Sequence, residues 1–327
     1  MCAIFGLLDF KGKLTPSERL RIIRALGKAA EVRGTDATGI AYVQNGRVQI
    51  QKAPRPAHRM KYRIAPAAQY IMGHTRLTTQ GAASRNYNNH PFLGKVGKLP
   101  FALAHNGVLF NDLELRRSRK LPRTIIETDS YVAVQMIEKQ RALSAESLRQ
   151  MAEALDGSFT ITVLDGENNL YFIKGNNPLT IYLFPGLGCY VYASTEEILD
   201  MALKTLGLSD ELKAAIAIRQ GDIMKIDSKG KRTVSHFDDT NLCVRAYCRY
   251  GGLWDWYHPV STANATYETD TYLDEVVNYG LSQGVPESEL RLLIDAGYDA
   301  LDLEELVYDP MLRQSCVQEI LCDYGVC

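Results

Sequence analysis

Short apolar runs separated by Gly, Asn and Pro set the rhythm of this chain. Cys2 to Leu8 is almost wholly apolar and reads as a buried strand. Thr15-Pro16-Ser17-Glu18 marks a helix start, with a hydroxyl cap, Pro at the first helical position and Glu at the third, and predicts a helix to about Ala30. Gly39–Val43 and Arg47–Gln51 flank Asn45-Gly46, a strong hairpin signal. Tyr70–Thr75 and Phe101–His105 read as buried strands that end in polar residues. Asp129–Glu138 and Ser144–Leu155 read as helices. Phe159–Leu164, Leu170–Lys174, Thr180–Phe184 and Tyr190–Ala193 read as strands. Glu196–Leu206 reads as a helix, and Ile223–Ile226 with Arg232–His236 as closing strands. This mixture predicts an α+β fold, most simply two stacked sheets between helical layers.

The character changes after Asp239. Residues 250–258 hold both tryptophans, Trp254 and Trp256, and Ser261–Thr271 is polar and linker-like. Thr271–Leu281, Glu287–Ala296 and Asp309–Tyr324 are helix candidates. The expected organisation is a main domain over residues 2–238 and an acidic, mostly helical extension over 240–327, without repeats.

Composition narrows the class. At 327 residues the chain can bury a sizeable core. No apolar run reaches the length of a membrane span, and Asp9 and Lys11 interrupt the apolar N-terminus, so neither a membrane nor a secretory signal is expected. Seven cysteines in a chain this long do not form a secreted disulfide pattern, which favours reduced thiols and a cytoplasmic setting. The net charge of −1 hides a polarity: residues 240–327 carry four basic and fifteen acidic side chains, residues 1–239 carry 33 and 23. An acidic tail lying on a basic body accounts for this more simply than nucleic-acid binding, because the basic residues lack aromatic interleaving. A homo-oligomer stays open.

Cys2 follows the initiator methionine, where the small side chain permits trimming of Met1. A freed Cys2 would carry both a thiol, with a pKa of about 8.5, and an α-amine of about 7.7–8.0 able to take its proton. That combination is the logic of an N-terminal nucleophile. Four polar clusters follow: Arg33-Gly34-Thr35-Asp36; Gly73-His74-Thr75-Arg76-Leu77-Thr78-Thr79-Gln80 with Asn88-Asn89-His90-Pro91-Phe92; His105-Asn106-Gly107 at a strand end; and Glu127-Thr128-Asp129-Ser130 at a helix start. Singly each has a plain structural explanation as a turn, a cap or a surface charge. Together they supply what cleavage of an amino-acid amide needs. The Asn106 amide and the Gly107 N–H suit a developing oxyanion. The planar fork of Arg76 suits an α-carboxylate, with the Thr79 hydroxyl beside it. Asp129 suits an α-ammonium. No cofactor or metal is expected.

With these residues in this order, residues 2–238 resemble the class II glutamine amidotransferases, the N-terminal-nucleophile glutaminase domain. The resemblance implies a four-layer αββα sandwich and L-glutamine as substrate. It implies Cys2 as nucleophile, Arg33 and Gly34 in a loop beside it, and Arg76 and Thr79 gripping the carboxylate from a mobile loop. It implies Asn106 and Gly107 as the oxyanion hole, with the Gly107 carbonyl and Asp129 at the ammonium; His90 is structural. Two positions depart from the synthase-like members: Leu77 where they commonly have Trp, and Gln80 where they often have His. The 88 or so remaining residues are short for a synthase domain, and no G-x-x-x-x-G-K-[ST] loop is present, so the expected ammonia acceptor belongs to a separate synthase subunit. The competing readings are an N-terminal-cysteine amidase for another amide, or a non-catalytic regulatory or assembly protein that keeps the fold. The resemblance does not extend to the tail. Its cysteines Cys243, Cys248, Cys316, Cys322 and Cys327 miss the usual close zinc pairs; with His258 they could still assemble a site in space, but unliganded thiols are the favoured reading, and Cys189 reads as core. Trp254 and Trp256 read either as a plug packing the tail onto the body, the favoured reading, or as a partner-binding patch.

Overall fold

The computed structural model describes residues 2–240 and 242, and residues 269–323 except 297, 299–302, 305, 308 and 309. By its internal contacts the chain divides into two units, Met1–Trp254 and Asp255–Cys327. The readings for Trp254, Trp256, His258, Cys243, Cys248, Cys327 and the 261–268 linker lie outside the described residues, as does the Cys322 side chain.

The first unit is built on two antiparallel sheets. One contains β1 (Ala3–Leu8), β2 (Ala37–Gln44), β3 (Arg47–Ala53), β4 (Tyr70–Arg76), β9 (Thr180–Phe184), β10 (Cys189–Ala193) and β11 (Ala214–Ala215), in the order β11-β9-β10-β1-β4-β2-β3. The other contains β5 (Phe92–Val96), β6 (Leu99–Leu109), β7 (Gly157–Asp165), β8 (Leu170–Lys174), β12 (Asp222–Ile226) and β13 (Arg232–His236), in the order β13-β12-β8-β7-β6-β5. Helices α1 (Pro16–Ala29) and α5 (Glu196–Leu206) belong with the first sheet; α2 (Asp112–Ser118), α3 (Tyr131–Gln140) and α4 (Ala145–Ala154) belong with the second.

Strand alternation explains why every face is covered. Successive side chains point to opposite sides of a sheet. On β1, Ala3, Phe5 and Leu7 pack with Ile22, Ile23 and Leu26 of α1 and Leu199 and Leu203 of α5. Ile4 and Leu8 instead meet Ala102, Ala104, Leu164 and Phe172 of the other sheet. On β6, Phe101 and Leu103 face Val132, Met136 and Ile137 of α3. The result is helix, sheet, sheet, helix, with three separate apolar seams. Cys189 is in the α1–α5 seam, as expected of a core residue.

Several boundaries differ from the sequence reading. β6 does not end at His105 but runs on to Leu109, paired with β7 from Phe101 to Leu109. Its polar residues stay in the ladder because they face protein and a pocket, not solvent. β5 (Phe92–Val96), α2 and the two-residue β11 were not foreseen; β5 alternates buried and exposed and begins at Phe92, where the quoted motif ends. α3 begins at Tyr131, because Asp129 accepts a backbone N–H from Leu109 in place of capping the helix.

The second unit contains α6 (Thr269–Ser282), α7 (Glu287–Asp295) and α8 (Pro310–Asp323). Val276, Leu290, Leu293, Leu303 and Leu306 form its core, and Cys316 packs against them.

Candidate active site

Alternation also places the polar side chains. On β4, Tyr70 and Met72 face the other sheet; His74 and Arg76 continue that row. Cys2 continues the row of Ile4 and Leu8. The last β1–β4 pair is Ala3–Thr75, so Cys2 comes next to Arg76 at the end of the ladder. On β6, Asn106 continues the row of Ala102 and Ala104. One pocket opens here, lined by Cys2, Arg76, Thr79, Gly107, Asp129 and their neighbours, with His90 and His105 in its wall.

The Cys2 thiol donates to the Leu77 carbonyl at 3.4 Å. Burial pushes its pKa above the ordinary value, opposed in part by the backbone of Leu77 and the Arg76 guanidinium. A thiol held this way needs a base to become a nucleophile. Arg33 Nε donates to the Cys2 carbonyl at 2.9 Å. Gly34 lies against the Arg76–Leu77 backbone so closely that a Cβ would sit 2.5 Å from the Arg76 carbonyl carbon. Both residues hold the chain behind Cys2, and neither lines the pocket.

Arg76 is buried, and it organises the loop that follows. Its Nη1 donates to Asn89 Oδ1 at 2.7 Å, and its Nη2 to the carbonyls of Gln80 and Gly81 at 2.5 and 2.7 Å. These bonds use three of its five donors, leaving two for a ligand. Asp36 fixes the start of the loop, taking the Thr78 N–H at 2.7 Å. Gln80 Nε2 donates to the Glu127 carbonyl at 3.0 Å, which closes this loop onto the far wall. Thr79 stands exposed at the pocket rim.

The opposite wall is main chain. Phe159, opposite Gly107, spends its N–H on Asn176 Oδ1 and its carbonyl on the Asn177 N–H, both on the far side of β7. In an antiparallel ladder Phe159 and Gly107 are therefore a pair that exchanges no hydrogen bonds, and the Gly107 N–H and carbonyl point away from β7. On that side β5 pairs only as far as Phe92–Leu103, so the β6 edge is open at Gly107. Two residues on, the Leu109 N–H points the same way and reaches Asp129 Oδ2 at 2.6 Å. Asp129 is buried, takes a further bond from the Ser130 hydroxyl, and makes no ion pair among the described residues. Gly107 has φ +144° and Ser158 O would lie 1.9 Å from a Cβ there, so only glycine fits. The Asn106 side chain is just outside the pocket lining, with Nδ2 3.2 Å from Ser194 Oγ.

Three buried histidines close the seam. His74 Nε2 lies 3.0 Å from the His105 carbonyl, and the His74 and His90 rings are 4.2 Å apart. Burial pushes all three below the usual range, His74 to about 3, so they are neutral.

Comparison with known proteins agrees with this architecture. The family model "Glutamine amidotransferases class-II" matches residues 1–182. The chain belongs to the class II glutamine amidotransferases. It is 32% identical over 192 residues to glutamine–fructose-6-phosphate aminotransferase (isomerizing) of Sulfolobus acidocaldarius, covering 56% of this chain and 32% of that protein. It is 32% identical over 240 residues to the enzyme of the same name from Bacillus licheniformis, covering 68% and 38%. The chain thus spans about a third of these amidotransferases. The glutamine PRPP amidotransferase of B. subtilis, solved with ADP and GMP, shares the fold with a TM-score of 0.56 at 18% identity, over 72% of this chain and 49% of that one. Among the described residues no helix is long and apolar enough to cross a membrane.

Ser194, Asn177 and Asn89 reach this amidotransferase site without having been singled out by sequence. Asn89 sat inside a quoted motif, but Ser194 and Asn177 carry no local signal; only the stacking of strands brings them in.

Proposed function

We propose that the chain hydrolyses L-glutamine to L-glutamate and ammonia through a γ-glutamyl thioester on Cys2. The observation that carries this is one pocket in which a thiol, a guanidinium with two free donors, a buried carboxylate with no ion pair among the described residues and an open strand edge at Gly107 converge. Once Met1 is removed, the Cys2 α-amine takes the thiol proton. The thiolate attacks the side-chain carbonyl carbon, and the oxyanion is met by the Gly107 N–H and the Asn106 amide. The tetrahedral intermediate collapses, the carbon–nitrogen bond breaks, and the proton leaves on ammonia. Water then hydrolyses the thioester. Arg76 and Thr79 hold the α-carboxylate; Asp129 and the Gly107 carbonyl hold the α-ammonium. Support against a lipid-like or other simple amide comes from Arg76 and Asp129, which such a substrate would leave unpaired.

The deciding experiment is Cys2→Ala, expected to abolish glutamine hydrolysis while the fold persists. Retained hydrolysis would refute the assignment. Mass spectrometry of the N-terminus tests the base: an intact Met1 on active protein would rule out the α-amine.

We further infer that residues 2–238 form the glutaminase domain, 240–327 a helical extension, and that the ammonia passes to an acceptor on a partner protein. Support comes from the small aliphatic core of the C-terminal helices, beside which described charged side chains pair with one another, as Arg313 does with Glu289. The described cysteines Cys2, Cys189 and Cys316 are free, which suits a reducing compartment. Glutaminase activity measured with and without co-purified proteins tests the partner; no change with any of them would argue for a free-standing glutaminase.

A further inference from the structure

We propose that Asn177 and Ser194 are positioning residues that clamp Asn106 from two sides and thereby aim both oxyanion donors; this rests on the glutaminase reading of the site. Asn177 Nδ2 donates to the Asn106 carbonyl at 2.8 Å. That carbonyl and the Gly107 N–H belong to one peptide plane and point in opposite directions. A bond that pins the carbonyl toward β7 therefore pins the N–H toward the pocket. The clamp matters because Gly107 has no Cβ to restrict its rotation. Asn177 is itself anchored: its N–H goes to Phe159 O, and its carbonyl takes the Thr160 hydroxyl at 2.7 Å. Asn177 follows β8 and is only partly buried.

Ser194 acts on the other end of the same residue. It follows β10 directly, its backbone N–H donates to the Ile4 carbonyl at 2.9 Å, and its Oγ accepts the Ile4 N–H at 2.9 Å. Ile4 lies two residues from Cys2 on the same face of β1. Ser194 Oγ also lies 3.2 Å from Asn106 Nδ2, while Asn106 Oδ1 is buried with no partner. A half-turn of the carboxamide exchanges its oxygen and its NH2, so that the buried position without a protein partner holds a donor, which an arriving oxyanion satisfies. The oxygen then accepts the Ser194 hydroxyl hydrogen, whose oxygen still serves Ile4. The amide NH2 is freed of any protein acceptor, as a donor to an oxyanion must be. Ser194 thus ties the nucleophile's strand to the oxyanion donor across the two sheets.

The test measures glutamine hydrolysis by Asn177→Ala and Ser194→Ala, together with alkylation of Cys2 by iodoacetamide, a displacement at saturated carbon that builds no oxyanion. Each variant is expected to lose roughly tenfold in kcat, less than the about 10²–10³ that follows removal of an oxyanion donor itself, with KM little changed. Alkylation should stay at the wild-type rate. Ser194→Ala should cost nothing further in an Asn106→Ala background, since it acts through that side chain. Asn177→Ala is the variant that keeps the test sound if Ser194→Ala folds poorly. Full kcat in Asn177→Ala, independent losses in the Ser194–Asn106 pair, or a parallel fall in alkylation would overturn the proposal. If wild-type protein does not cleave glutamine at all, the glutaminase reading itself fails, a distinct result.

Discussion

The two walls of the pocket are made differently. On the first sheet the chemistry stands at the ends of β1 and β4 and is tied down by loop carbonyls: Leu77 takes the Cys2 thiol, and Gln80 and Gly81 take the Arg76 guanidinium. On the second sheet it stands within a continuous ladder, where Asn106 and Gly107 are paired with Thr160 and Phe159 on both sides of the working peptide. A loop can open for a substrate and close behind it, whereas a ladder holds its amides in place before the reaction starts. On the proposed reading the carboxylate grip is on the adaptable wall, and the ammonium grip and the stabilisation of developing charge are on the rigid one.

This contrast can be broken from either side. The largest effect is expected on the rigid wall: Asn106→Ala should lower kcat for glutamine about 10²–10³-fold with a small change in KM. A change mainly in KM would move Asn106 out of the oxyanion role. On the adaptable wall, Arg76→Lys keeps the charge and loses the fork, so KM should rise roughly tenfold or more while kcat changes less. Steady-state kinetics at saturating glutamine separate the two, and an unchanged KM would remove Arg76 from the carboxylate.

The seam between the walls should respond to acid. An unfolded histidine takes a proton near pH 6.5, whereas folded His74 resists down to about 3. Between these values the unfolded chain binds more protons, so this part of the stability is complete above about 6.5 and is lost as pH falls. The slope is at most about 1.4 kcal/mol per pH unit for each such histidine. Denaturant titrations from pH 7 to 4 should show the decline, and His74→Gln should flatten it; an unaltered slope would assign the acid sensitivity elsewhere. The smallest effect is expected for Gln80→Ala, which removes the 3.0 Å bond to Glu127 that closes the loop. It should raise KM by a few-fold, in keeping with about 1 kcal/mol for one neutral hydrogen bond. No change would mean that Arg76 and Asp36 hold the loop shut without Gln80.

Much of the fold was legible from local pattern. The capping box at Thr15–Glu18, the Asn45-Gly46 hairpin and helix α5 lie where propensity and periodicity put them. Local reasoning failed at β6, because a run of polar residues looks like a strand end whether it meets water or a substrate pocket. The candidate residues were legible as types in an order. That Arg33 and Gly34 stay behind Cys2, and that Ser194 meets the Asn106 side chain from the other sheet, was not.

By itself the sequence determined the inventory: a small thiol at position 2, one arginine, one aspartate and an Asn-Gly pair set among runs whose alternation builds two sheets. Those choices are written in side-chain chemistry and in periods of two or four residues. Only the tertiary structure decided which way the Gly107 amide points, which donors of Arg76 stay free, and that Ser194 and Asn177 meet Asn106 across 88 and 71 residues of chain. These depend on how one sheet is registered over the other, a property of packing between distant segments that no local pattern encodes.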